Sequence, residues 1–169
     1  DALIYDRSGG SFHYNSDFSQ SPGDLVVSDP TDAGFSKRFI PSTIGAYGTA
    51  ILRFTIVNPN PVPVSGYNFT DTLPAGMVVA APPNASSTCG GTITATAGAD
   101  TISFAGGALA PNSSCTIRVD VTVPDEGAAY PLELYNTAEL YVGDDATGAI
   151  AEATLEVTCL LYTSPSPRD

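Results

Sequence analysis

The chain has 169 residues, with 18 Asp and Glu against 6 Lys and Arg and a formal net charge of −12 at pH 7. So few cations exclude a nucleic-acid-binding surface, which must displace counterions from a phosphate backbone, and 43% hydrophobic residues with 8 Tyr and 7 Phe exclude a disordered acidic tail. The 16 Gly and 14 Pro, with few long charged side chains, point to a turn-rich all-β protein of ordinary domain size.

In chain order, residues 1–32 are rich in Asp, Ser and Gly and offer two short strand-like pieces, 2–5 and 25–27. Residues 35–40 read as a strand stopped by Pro41. Residues 50–57 alternate strictly, with Ala50, Leu52, Phe54 and Ile56 on one face and Arg53 and Thr55 on the other. Residues 58–63 must leave the sheet, because Pro59, Pro61 and Pro63 cannot donate to a central ladder. Residues 66–70 resume a strand, Tyr67 and Phe69 facing one way, and Leu73-Pro74-Ala75-Gly76 makes a turn. Short candidates follow at 77–81, 92–96 and 101–104. After Asn112 comes the clearest strand: Cys115, Ile117, Val119, Val121 and Val123 face one side, and Thr116, Arg118, Asp120 and Thr122 the other. Residues 132–141 and 149–158 complete the set, the latter placing Ala153, Leu155 and Val157 opposite Glu152, Thr154 and Glu156. About eight short strands, each with one apolar face, predict a two-sheet sandwich, with a closed barrel as the lesser alternative.

Uncharged apolar runs are only a few residues long, well short of the roughly 20 needed to span a membrane. The chain opens on Asp1 without a signal peptide and reads as an internal piece of a longer protein. Its last residues, 159–169, read CLLYTSPSPRD and abandon the alternation of Thr154-Leu155-Glu156-Val157-Thr158. They resemble, letter for letter, one reading-frame translation of a sequencing-library adapter, so they are set aside as an adapter-derived artefact; the other reading is a Pro-rich linker. With Cys159 set aside, Cys89 and Cys115 form an even pair, and neither lies at metal-ligand spacing from His13. A disulfide between them would stabilise the fold by roughly 3–4 kcal/mol and imply an oxidising compartment. Two buried free thiols are the alternative.

No catalytic role is expected. His13, the one histidine, lies outside the patterned region, and apart from Asp125-Glu126 and Asp144-Asp145, which read as turns, the carboxylates are scattered singly. Calcium is the one cofactor with any candidates: Asp29, Asp32, Asp144 and Asp145 lie near the unit ends, where hard ligands would stiffen an array, although no EF-hand spacing is present. A covalent idea is sharper. If Lys37, Asp71 and Asn136 met in the core, a desolvated Lys37 amine would become nucleophilic toward Asn136, with Asp71 shuttling protons, and an intramolecular isopeptide bond would result. The plainer reading, which the sequence favours, has Lys37 lay its stem along the surface, Asn136 tie a turn and Asp71 cap a loop.

The turns themselves carry a resemblance. Ser36-Lys37-Arg38-Phe39-Ile40-Pro41-Ser42-Thr43-Ile44, Phe54-Thr55-Ile56-Val57-Asn58-Pro59-Asn60, Thr70-Asp71-Thr72-Leu73-Pro74-Ala75-Gly76-Met77, Thr88-Cys89-Gly90-Gly91-Thr92, Ser113-Ser114-Cys115-Thr116-Ile117 and Tyr135-Asn136-Thr137 follow in order. Over residues 35–158 they resemble the conserved-repeat domains of bacterial surface proteins, the group called domain of unknown function eleven, in its cysteine-bearing variant. The segment 125–134 departs from that pattern. The resemblance implies an immunoglobulin-like sandwich, repeated in tandem on large secreted or surface-attached proteins, with no catalytic residues. The layout it suggests is a repeat over 33–158, preceded at 1–32 by a fragment or the last strand of an earlier repeat. Gly23-Asp24-Leu25-Val26-Val27-Ser28 echoes Ala153-Thr154-Leu155-Glu156-Val157-Thr158 in that sense. The function expected is a non-catalytic spacer or stalk, extracellular or on the cell surface, with neighbouring repeats as partners. The alternative is an adhesive module that recognises glycan or protein through loops 58–65 and 81–87, with Tyr67, Tyr130, Tyr135 and Tyr141 as aromatics to place.

Overall fold

The computed structural model describes residues 33–124 and 131–158. They form β1 (Gly34–Ile40), β2 (Thr43–Gly45), β3 (Thr49–Asn58), β4 (Val64–Thr72), β5 (Val78–Val79), β6 (Ser86–Ser87), β7 (Gly90–Ala95), β8 (Thr101–Leu109), β9 (Ser113–Thr122), β10 (Leu132–Val142) and β11 (Asp145–Thr158). One sheet runs β1-β3-β9-β5, with β6 also paired to β9, and the other runs β2-β11-β10-β4-β8-β7. No helix occurs among the described residues. The two separate strand orders make this an immunoglobulin-like two-sheet sandwich and exclude the closed barrel.

Period-two patterning builds the core. Leu52, Phe54 and Ile56 of β3 and Ile117, Val119 and Val121 of β9 line the inside of the first sheet, and all are fully buried. Tyr67 and Phe69 of β4, Ile102 and Phe104 of β8, Leu140 of β10 and Leu155 of β11 face them from the second. Phenylalanines bridge the layers: the Phe54 and Phe69 rings lie 4.5 Å apart and Phe35 lies 5.2 Å from Phe69, while Phe104, paired with Phe69 in the second sheet, lies 5.6 Å from it. Truncating one such ring to Ala costs about 3–5 kcal/mol in a close-packed interior. Room for Phe104 comes from two glycines. A Cβ on Gly107 would stand 2.6 Å from its ring, and one on Gly91 would stand 2.9 Å from it and 2.5 Å from the Ala105 carbonyl.

The strands number eleven among the described residues, not about eight, because some are held by distant partners and carry no local signal. β2 follows Pro41 and pairs in parallel with the end of β11, Thr43 lying opposite Glu156. β6 rests on β9 through Ser86 and Arg118. β8 runs on through Gly106 and Gly107, which the sequence reads as a stop, because its pairing with β4 continues to Leu109 opposite Val64. The predicted strands at 2–5 and 25–27, residues 125–130 of the departing segment 125–134 and the tail at 159–169 lie outside the described residues.

Candidate functional site

Two tethers connect the layers. The first is the Cys89–Cys115 disulfide, with Cα atoms 5.0 Å apart and a sequence separation of 26. Cys115 points inward from β9, while Cys89 stands between β6 and β7, where the chain passes from the first sheet to the second. The free-thiol alternative is thereby excluded.

The second is polar. On β1 the inward positions are Phe35, Lys37 and Phe39; on β4 they are Tyr67, Phe69 and Asp71; on β10 they are Leu134, Asn136, Ala138 and Leu140. Each strand thus spends one inward position on a polar group. Asp71 lies directly opposite Ala138 on the neighbouring strand, which puts Asn136 diagonally beside it. Lys37 approaches both from the facing sheet. Its Nζ lies 3.4 Å from each Asp71 carboxylate oxygen and donates to Asn136 Oδ1. The side chains of Lys37 and Asp71 are wholly shielded from solvent. The Lys37 ammonium sits 5.8 Å from the Phe54 ring centre, so the surroundings are aromatic and dry. The Asn136 amide nitrogen has no hydrogen-bond partner among the described residues.

This overturns the plainer reading of all three residues. Lys37 does not lie along the surface, because its neighbours on β1 turn it inward with Phe35 and Phe39. Asn136 is mid-strand, and Asp71 sits on the inner face of β4.

Burial drives both ionisable groups toward neutrality. It lowers the Lys37 amine from 10.5 to about 8, against the attraction of Asp71 and of the more distant Glu152. It raises the Asp71 carboxyl, against the Lys37 charge and the Asn136 amide. An amine, a carboxyl group and a side-chain amide therefore stand in contact, the first two shifted toward their neutral forms. That set can exchange one amide for another: the amine is the nucleophile, the amide carbon the electrophile and the acid the proton carrier.

The other sequence candidates are placed more simply. Asp144 lies in the turn between β10 and β11 and Asp145 opens β11. Among the described residues no three His, Cys, Asp or Glu gather as a metal group. Asp29, Asp32, His13 and Tyr130 lie outside the described residues. Tyr67 is fully buried, which removes it from any surface role, whereas Tyr135 is 56% exposed and Tyr141 half-buried. Sequence reasoning missed Asn58. It is fully buried, its amide donates to the carbonyls of Val62 (2.9 Å) and Ala110 (3.0 Å), and its Oδ1 accepts from the Asn60 backbone N–H, so it fixes the loop at 59–63. Its inward parity after Phe54 and Ile56 is the signal that marks it.

Comparison with known proteins follows the fold. A family model described as a domain of unknown function, DUF7933, matches residues 33–157. It carries a different number from the group that the turn motifs resemble. No curated protein matches the chain. Among solved structures, a variant of BcpA, the major pilin subunit of Bacillus cereus, is similar at TM-score 0.55 and 12% identity over 76% of this chain and 40% of that one. The chain thus spans less than half of the pilin subunit. The third cohesin ScaC of Acetivibrio cellulolyticus, solved with the ScaB dockerin, is similar at TM-score 0.55 and 16% identity, covering 75% of this chain and 99% of that one. A non-cellulosomal cohesin of the archaeon Archaeoglobus fulgidus follows at TM-score 0.50 and 12% identity, covering 74% and 91%. At such identities the likeness is one of fold.

Proposed function

The chain belongs to the DUF7933 family of domains of unknown function, and on that premise we propose that it is a non-catalytic structural module of a bacterial secreted or surface protein, locked by an amide bond between Lys37 and Asn136. The observation that carries this reading is the meeting of Lys37, Asp71 and Asn136 from β1, β4 and β10 in the buried core beside the Phe54 ring. Neutral Lys37 Nζ attacks Asn136 Cγ. Asp71 gives its proton to Nδ2 and takes one from Nζ; the Cγ–Nδ2 bond breaks and one ammonia leaves. Nothing is oxidised or reduced, and no cofactor takes part. The product is a secondary amide that closes the chain from the first described strand to the last but one.

Such a bond suits a spacer or stalk. Tension entering along β1 would pass through a covalent link into β10 and not through the hydrogen bonds of the intervening strands. The disulfide supports an oxidising location outside the cytoplasm, and the pilin and cohesin likenesses are compatible with a surface setting. The adhesive alternative retains one exposed ring, Tyr135.

Intact mass of the full chain, reduced and denatured, tests the bond. The expected mass is the sequence mass less one ammonia in the wild type, and the unaltered calculated mass in Asp71→Ala and Asn136→Ala. A wild-type mass with no ammonia missing sinks the proposal.

A further inference from the structure

The two outer faces of the sandwich are oppositely charged. On the first sheet Arg38 of β1 pairs with Arg53 of β3, which pairs with Arg118 of β9, so three arginines stand side by side on adjacent strands. Strand spacing gives the row a span of about 10 Å. Arg38 and Arg118 are exposed and Arg53 is half-buried, its Nε sealed from water without a hydrogen-bond partner. Among the described residues none of the three makes a salt bridge. The one carboxylate on the strands of that sheet, Asp120, accepts from the Asn84 amide at 2.7 Å.

The second sheet presents the reverse. Glu133 of β10 pairs directly with Glu156 of β11, and Glu152 and Glu139 continue along the same outer face. No Lys or Arg lies on any strand of this sheet. Apolar groups stand among the acids: Tyr135 is 56% exposed and Ile150 is 57% exposed. The arginine face has counterparts in Val57, 39% exposed, and half-buried Ile51.

Like charges set directly opposite one another on adjacent strands are unfavourable, and this domain carries one such row of each sign on opposite faces. We propose that the Arg38–Arg53–Arg118 row of one copy docks on the Glu133–Tyr135–Glu152–Glu156 face of a second copy of this domain. Docking gives each arginine a carboxylate, lays a guanidinium on the Tyr135 ring and relieves both rows together. A contact between unlike faces is heterologous, and because the two faces lie on opposite sides of the sandwich, copies add into open rows. Exposed ion pairs are individually weak, so the contact matters where copies are already held close, at effective concentrations on the order of 1 mM. The inference is independent of the Lys37–Asn136 bond.

Sedimentation of the full chain tests it, at protein concentrations up to about 1 mM and from about 0.01 M to 1 M NaCl. The wild type is expected to gain average mass with concentration and to lose that gain as salt rises. Arg38→Glu/Arg118→Glu and Glu133→Arg/Glu156→Arg change only exposed side chains, and circular dichroism verifies their folds. Each alone is expected to weaken association roughly tenfold or more. An equimolar mixture of the two is expected to associate again, because an arginine face then meets an acidic face. A wild type monomeric throughout, or reversed variants that associate as well as the wild type, would overturn the proposal. So would a monomeric wild type that binds heparin through the arginine row, which would assign that row to an anionic glycan.

Discussion

The two tethers of this sandwich span the same layers with opposite chemistry. Cys89 and Cys115 are 26 residues apart and leave nothing polar in the core once joined. Lys37 lies 34 residues from Asp71 and 99 from Asn136, and the three bring an amine, an acid and an amide into an aromatic interior. A disulfide suits any core that can hold two sulfurs. A buried lysine is tolerable only if paired or chemically consumed, because desolvating its charge costs several kcal/mol. The comparison teaches that the polar tether has the longer reach and the greater penalty if left unmade.

The largest expected effect follows from that reach. In the chain-entropy description, closing a loop of about 99 residues is worth about 5 kcal/mol and closing one of about 26 is worth about 3.5 kcal/mol. Asn136→Ala is therefore expected to lose about 5 kcal/mol in denaturant unfolding. Asp71→Ala is expected to lose at least as much, because it also strands the Lys37 amine without its partner. The double variant Cys89→Ala/Cys115→Ala is expected to lose about 3–4 kcal/mol. If the cysteine variant proves the less stable of the two, the ranking of the tethers is wrong.

A pH series sharpens the same contrast. In Asn136→Ala the Lys37 amine stays free, with a pKa of about 8 in the fold against 10.5 when unfolded. As pH falls toward 8, the unfolded chain takes up the proton first, so stability falls by up to about 3 kcal/mol across the full window. The tyrosines intrude from about pH 9.5, which leaves the lower part of that window as the clean one. If the proposed bond consumes the amine, the wild type is expected to be flat between pH 8 and 9.5. A wild type that follows the variant there would mean that Lys37 still titrates. The smallest of these effects belongs to Asn58→Ala, which removes the part-buried hydrogen bonds to the Val62 and Ala110 carbonyls at a cost of about 1–2 kcal/mol.

Much of this was legible by parity. Phe35-Lys37-Phe39, Tyr67-Phe69-Asp71 and Leu134-Asn136-Ala138 each place a polar residue where alternation demands an apolar one, and the structure buries all three. Alternation also set the inner faces of β3, β9 and β11. Register was not legible: that Asp71 falls opposite Ala138, or that Arg38, Arg53 and Arg118 form one row, depends on how whole strands slide against each other. No local pattern fixes that slide. Short strands fared worst, since β2 and β6 exist only through partners far along the chain. The usual surface habit of lysine misleads at Lys37, because Phe35 and Phe39 on either side turn that position inward.

Lys37 is the one lysine of the chain, and this makes the central claim open to a single digestion. A lysine-specific endoprotease applied to the reduced, unfolded chain needs a free amine beside the bond it cuts. The wild type is expected to stay uncut while Asn136→Ala is cleaved once, after Lys37. Cleavage of the wild type at Lys37 would contradict that claim.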